Sequence, residues 1–152
     1  HDALPISPLS VLRGGYVTLQ YTISNLDSSL YRGQKITNGD TIYVVLRQGG
    51  SYYFAQSVQK TKPTDGKIFI KGTVVSGGID VQSNILQNPN FSNSRIHVVY
   101  GIEDYFIPEE KRGDFSFLIS GATEEENTVM VMLDEDGNAV LKQLYLGYKP
   151  WP

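Results

Sequence analysis

The 152-residue sequence contains no cysteine. That single absence excludes disulfide staples, thiolate metal sites and thiol nucleophiles. Only two histidines are present, one of them His1, so a site built on several imidazoles is excluded too. No apolar stretch approaches the ~18 residues that a membrane-crossing helix needs. A basic excess is missing: 13 Lys and Arg stand against 16 Asp and Glu, for a net charge of −3. Single-stranded nucleic acid wants a basic track interleaved with stacking rings. The ten tyrosines could supply rings, but the cations are scattered and the balance is acidic, so nucleic-acid binding is excluded. Repeats, low-complexity tracts and linkers are also absent, and the length reads as one domain, large enough to bury a core without staples.

What is present is strand signal. Val17, Leu19, Tyr21 and Ile23 alternate with Thr18, Gln20, Thr22 and Ser24, the period of two of a half-buried strand over Tyr16–Ser24. Residues 26–39 are polar, with a short helical turn near Ser28–Tyr31. Thr41–Leu46 is rich in β-branched residues, and Gln48-Gly49-Gly50-Ser51 turns it into a partner strand, Tyr52–Gln59. Lys62–Gly66 is a turn in which Pro63 fixes φ and Gly66 takes the left-handed position. Lys67–Val75 is a strand, with Gly72 a bulge or a close backbone approach, and Gly77-Gly78 ends it. Further strands are expected at Ile79–Leu86, Arg95–Tyr100, Thr128–Leu133 and Ala139–Leu146. A loop of turn formers lies at Asn88–Asn93, and an Asp-Gly turn joins the last two strands. Pro108-Glu109-Glu110 fits the first turn of a helix, with Phe115, Leu118 and Ile119 as its inner stripe. Tyr148 and Trp151 are expected to pack the tail down. The fold class is therefore mainly β: a single small barrel or sandwich of seven to eight mostly antiparallel strands, with one short helix near 108–120.

Gly14-Gly15-Tyr16-Val17-Thr18-Leu19-Gln20-Tyr21 nearly spells the motif of the GDYXXLXY family. Gly14, Tyr16, Leu19 and Tyr21 hold its named positions, and Gly15 stands where the family has Asp. Tyr43-Val44-Val45-Leu46 and Phe69-Ile70-Lys71-Gly72 resemble the family's middle strands. The run from Tyr100 to Glu109 is similar to its second block, in which a Glu, a Tyr-Phe pair and a Pro-Glu recur, and Asp136–Lys142 resembles its close. The resemblance spans nearly all of residues 8–152, which read as one GDYXXLXY-like β domain. It implies a bacterial envelope protein: an N-terminal membrane anchor followed by a periplasmic or otherwise extracytoplasmic domain, with an integral membrane protein as the expected partner. Residues 1–7, His1 to Ser7, match the translated end of a sequencing adapter. They read as a non-native segment to be set aside from the fold, with the native anchoring helix lost ahead of the domain.

Candidate sites follow from these blocks. A catalytic carboxylate has no substitute in glycine, whereas glycine adopts turn geometry unaided. Gly14, Gly15, Tyr16, Leu19 and Tyr21 are thus read as a structural motif. Glu103, Tyr105, Phe106, Pro108 and Glu109 form the candidate functional cluster, joined by Asp104 and Glu110, because paired carboxylates can serve as acid and base or hold a hard cation. The competing account is a helix start that attracts Glu109 and Glu110, with Glu103 ion-paired to Lys111 or Arg112. Asp134, Asp136 and Asn138 imitate a calcium loop, but the twelfth position is Tyr145 and a hairpin turn accounts for them. Glu124–Glu126 reads as a solvated loop, and His97 as solvent-facing on its strand. No metal site, cofactor or catalytic set is expected.

The expected function is a non-enzymatic binding or structural module. One alternative is a small β-barrel holding an apolar or aromatic ligand among Tyr and Phe side chains, which an interior filled by Phe69, Val74 and Val98 would defeat. The other is a Ser–Lys hydrolase of signal-peptidase-like type. It would use Ser10 and Lys71, although no Ser-Met-x-Pro precedes Gly14 and the lysine would need desolvation.

Overall fold

Alternating apolar residues and tight turns carry most of this chain into antiparallel sheet. The computed structural model describes residues 2–13, 16–33, 35–80, 94–121 and 126–152, with backbone alone for 2–13, 16, 17 and 80. In chain order the strands are β1 (Asp2–Arg13), β2 (Tyr16–Tyr21), β3 (Asn25–Asp27), β4 (Lys35–Ile36), β5 (Thr41–Gly49), β6 (Tyr52–Gln59) and β7 (Phe69–Ser76). They continue as β8 (Ile79–Asp80), β9 (Arg95–Val99), β10 (Asp104–Phe106), β11 (Thr128–Leu133), β12 (Ala139–Leu146) and β13 (Lys149–Pro150). One helix, α1 (Arg112–Gly121), precedes β11. Short 3-10 turns lie at Thr22–Ser24, Ser28–Leu30 and Glu109–Lys111.

A six-stranded sheet runs β10-β2-β1-β11-β12-β13, a five-stranded sheet runs β3-β9-β7-β5-β6, and β4 pairs with β8. Every pairing between strands is antiparallel. β1 is shared along its length: Asp2–Pro5 pair with β11, and Ser10–Arg13 pair with β2. The register breaks between Ile6 and Ser10, where Pro8 stands. Proline has no N–H for a ladder and belongs at such irregularities. The bent strand curls the sheet, and β6 lies against β1, giving a mainly β, barrel-like fold.

Both sheets turn their apolar faces inward. Leu19, Tyr21, Val129, Val131, Leu144 and Leu146 from one meet Ile42, Val44, Ile70, Val74, Ile96 and Val98 from the other in a single core. Each such aliphatic side chain contributes about 1.5–3 kcal/mol by leaving water. Gly72 on β7 sits close against Val98 of β9 and the Tyr100 ring. A Cβ there would collide with Val98 and stand 2.8 Å from the Tyr100 ring, so its role is close approach, and the bulge of β7 falls instead between Val74 and Ser76.

Several expectations are corrected. β1 is missing from the expectations, because residues 1–7 are set aside there for their match to an adapter and Pro5 and Pro8 break the alternation of a strand; Asp2–Pro5 pair with β11. β2 stops at Tyr21 and the chain turns over Thr22–Ser24, although Ile23 is still buried as the alternation required. Eight strands have five or more residues; the others, of two or three residues, are too short to show a period. Of the strand expected at Ile79–Leu86, Ile79–Asp80 is β8, and the rest, with the loop at 88–93, lies outside the described residues. In α1, Phe115 and Ile119 are buried but Leu118 is 39% exposed. Trp151 packs the tail, its ring edge-on to Phe115 at 5.4 Å, while Tyr148 is 65% exposed.

Candidate functional site

The first sequence block and the second meet at one junction. Tyr21 ends β2 and points into the core, where its hydroxyl donates to the backbone oxygen of Ile102. Tyr100 follows β9 and is equally buried; its hydroxyl donates to the backbone oxygen of Ile23 at 2.5 Å. Each tyrosine thus holds the turn that the other tyrosine's segment enters. The backbone N–H of Leu19 donates to the Glu103 carbonyl at 2.6 Å. Beyond it β10 pairs with β2, Asp104 opposite Thr18, Tyr105 opposite Val17 and Phe106 opposite Tyr16.

Glu103 closes the junction. Its two carboxylate oxygens accept from the backbone N–H groups of Tyr100, at 2.8 Å, and of Gly101, at 2.9 Å. Gly101 has φ +86°, a left-handed conformation that costs glycine little. This arrangement replaces the expected ion pair of Glu103 with Lys111 or Arg112. Burial pushes the Tyr21 phenol well above its usual range, and the Glu103 carboxylate adds to the shift. The same causes in the same order raise Tyr100, and burial raises Tyr105. A phenol held this way stays protonated at neutral pH and acts as a fixed donor, because desolvation penalises the phenolate.

An open cleft of about 190 Å³ lies outside the junction, lined by Thr18, Gln20, Ser24, Asn25, His97 and Glu103 among others. His97 is exposed there, as its alternation required. Two stretches far apart in sequence, ending at Tyr21 and beginning at Tyr100, are therefore one structural unit. A protein-family model described as GDYXXLXY protein matches residues 2–144. The chain belongs to the GDYXXLXY family. No curated protein and no solved structure gives a significant match.

In this GDYXXLXY domain the motif residues divide. Gly14 and Gly15 lie outside the described residues. Tyr16 is the first residue of β2, Leu19 is fully buried, and Tyr21 is 1% exposed and hydrogen-bonded. The candidate cluster runs from the junction turn through β10 to the 3-10 turn that follows. Glu103 caps the junction turn, Tyr105 is half-buried, Phe106 is 55% exposed, and Pro108 precedes the 3-10 turn holding the exposed Glu109 and Glu110. Asp134 folds its own hairpin turn, accepting from the N–H groups of Asp136 and Asn138, and Asp136 pairs with Lys62 at 2.8 Å. Among the described residues no group of three or more His, Asp or Glu side chains is placed to hold a metal ion.

The structure locates the pair weighed for hydrolysis on different sheets. Ser10 stands on β1 and the half-buried Lys71 on β7. Val74 and Val98 lie in the core as the packed-interior test required, whereas Phe69 is only half-buried, edge-on to Tyr43 at 5.8 Å. Two residues escaped the sequence reading. Tyr100 was seen as part of a block and not as the counterpart of Tyr21; both leave a strand end, where a buried phenol finds a loop carbonyl. Asn127 is fully buried and ties α1 to the tail, donating to the Ile119 carbonyl at 3.4 Å and accepting from the Gly147 N–H at 3.1 Å. A buried amide carries no pattern in sequence, since its partners are set by tertiary approach.

Proposed function

We propose that the chain is a non-enzymatic binding or structural module, the extracytoplasmic domain of an envelope protein held at the membrane by an N-terminal helix and braced against an integral membrane protein. One observation carries this reading: the groups best suited to chemistry are committed to the fold. Both buried phenols donate to backbone carbonyls, both Glu103 oxygens accept backbone N–H groups, and the Asp134 carboxylate closes a hairpin turn. A general acid or base works by turning its proton or lone pair toward substrate, whereas these groups are oriented by the turns they close. Membership of the GDYXXLXY family, whose resemblance implies an anchored envelope protein, supports the compartment. Among the described residues no helix is long and apolar enough to cross a membrane, so the anchor in this reading is a separate segment.

The test is expression of the complete gene in its native neighbourhood, followed by membrane fractionation and affinity purification under mild detergent. The expected outcome is an anchored protein that brings one membrane protein with it in fixed ratio. Recovery of the intact anchored protein alone, with no stable partner, sinks the proposal.

A further inference from the structure

Helix α1 carries two apolar stripes. Phe115 and Ile119 enter the core. Asp114, Phe117 and Leu118, spaced i, i+3 and i+4, share another face, and Phe117 is 78% exposed. Opposite this face stands the chain's tail: Leu146, Lys149, Pro150, Trp151 and Pro152 form the second wall of a groove of about 340 Å³. The wall is held in place, since the backbone N–H of Trp151 donates to the Leu144 carbonyl at 2.8 Å, that of Tyr148 to the Glu126 carbonyl at 3.0 Å, and Asn127 bridges α1 to Gly147. Singly scattered exposed apolar residues need no explanation, but a contiguous apolar groove does.

We propose that this groove is a two-fold interface between two copies of the chain. A homodimer of this kind sets one patch against itself, so the patch must be self-complementary, and this one is. It has a hollow and, on the α1 wall of that hollow, an exposed ring, Phe117, to enter the hollow of a second copy. It carries one anion, Asp114 on the α1 wall, and one cation, Lys149 on the β13 wall. Neither makes an ion pair among the described residues. A two-fold axis along the groove brings the α1 wall of each copy against the β13 wall of the other and pairs Asp114 with Lys149 twice. Pairing by strand addition is blunted here, because Pro150 on the edge strand offers no N–H. The inference is independent of the function proposed above.

Sedimentation velocity of the purified chain over a wide concentration range tests it. The expected mass rises from 16.9 kDa toward twice that value. Phe117→Asp abolishes the rise, with an unchanged melting temperature at concentrations where the parent chain is monomeric and this side chain is exposed; Phe117→Gln gives the same reading should the aspartate disturb the helix. Asp114→Lys and Lys149→Asp each weaken association about tenfold, and the double exchange restores it, each tenfold corresponding to about 1.4 kcal/mol. A mass of 16.9 kDa at every concentration overturns the proposal. So does a dimer indifferent to Phe117, or a double exchange no better than its singles.

Discussion

The two aromatic regions of this domain obey opposite rules. At the junction, Tyr21 and Tyr100 are buried, 1% and 6% exposed, and each phenol has a defined carbonyl partner. On α1, Phe117 is 78% exposed and touches water. The first region shows what the chain spends on holding two sheets in one shape. The second shows apolar surface that folding leaves unused. Neither aromatic content nor the hydroxyl separates buried from exposed rings, since Phe115 is buried and Tyr148 exposed; what the hydroxyl adds is specificity, because a buried phenol demands a partner and thereby fixes which turn it contacts.

Breaking the junction has the largest expected effect. Tyr100→Ala leaves a cavity and two segments unheld, and should cost about 3–5 kcal/mol in urea unfolding; Phe117→Ala should stay within about 0.5 kcal/mol. If the two variants unfold alike, the contrast between the regions is lost. Gly72→Ala attacks the junction from β7 by pressing on Val98 and the Tyr100 ring, and overpacking of this kind costs about 1–3 kcal/mol. Tyr21→Phe keeps the ring and removes only the donor, leaving the buried Ile102 carbonyl unpaired, for about 1–3 kcal/mol. A cost close to zero would show that packing, and not the hydrogen bond, holds the turn.

The alkaline limb sharpens the comparison further. Tyr21 and Tyr100 titrate above their usual value of 10.0 in the folded chain. Above pH 10 the unfolded chain therefore loses these protons first, and folding stability falls as pH rises. Melting temperature followed from neutral to strongly alkaline pH should drop beyond that point, and Tyr21→Phe should shallow the drop while Phe117→Ala leaves it unchanged. The smallest effect belongs to the exposed hairpin. Hydrogen bonds from Asn138, side chain and backbone, hold Asp134 below its usual 3.8, so its contribution is present above that pH and fades as pH falls through the folded value. Asp134→Ala should slightly flatten the acid limb of the same melting series.

Local features were legible where one short window contained the whole cause. The hairpin turns after Gln48 and at Asp136-Gly137 and the alternation of β2 needed nothing beyond their own residues. β1 was illegible because Pro5 and Pro8 contradict a strand pattern, and only two partner strands on either side compensate for them. The site was half legible. Tyr21 and Glu103 were both singled out, one in the structural motif and one in the candidate functional cluster. That they belong to one junction, with Tyr100 as third member, depends on residues 77 and 81 positions apart meeting in space.

The sequence by itself determined a cysteine-free, mainly β domain of the GDYXXLXY kind, because composition, period-two alternation and turn chemistry act over a few residues. Tertiary structure decided how the motif blocks meet. Whether Glu103 is a free carboxylate or a turn cap, and whether an aromatic ring is core or surface, follows from what packs against it, and that is set by the approach of distant strands.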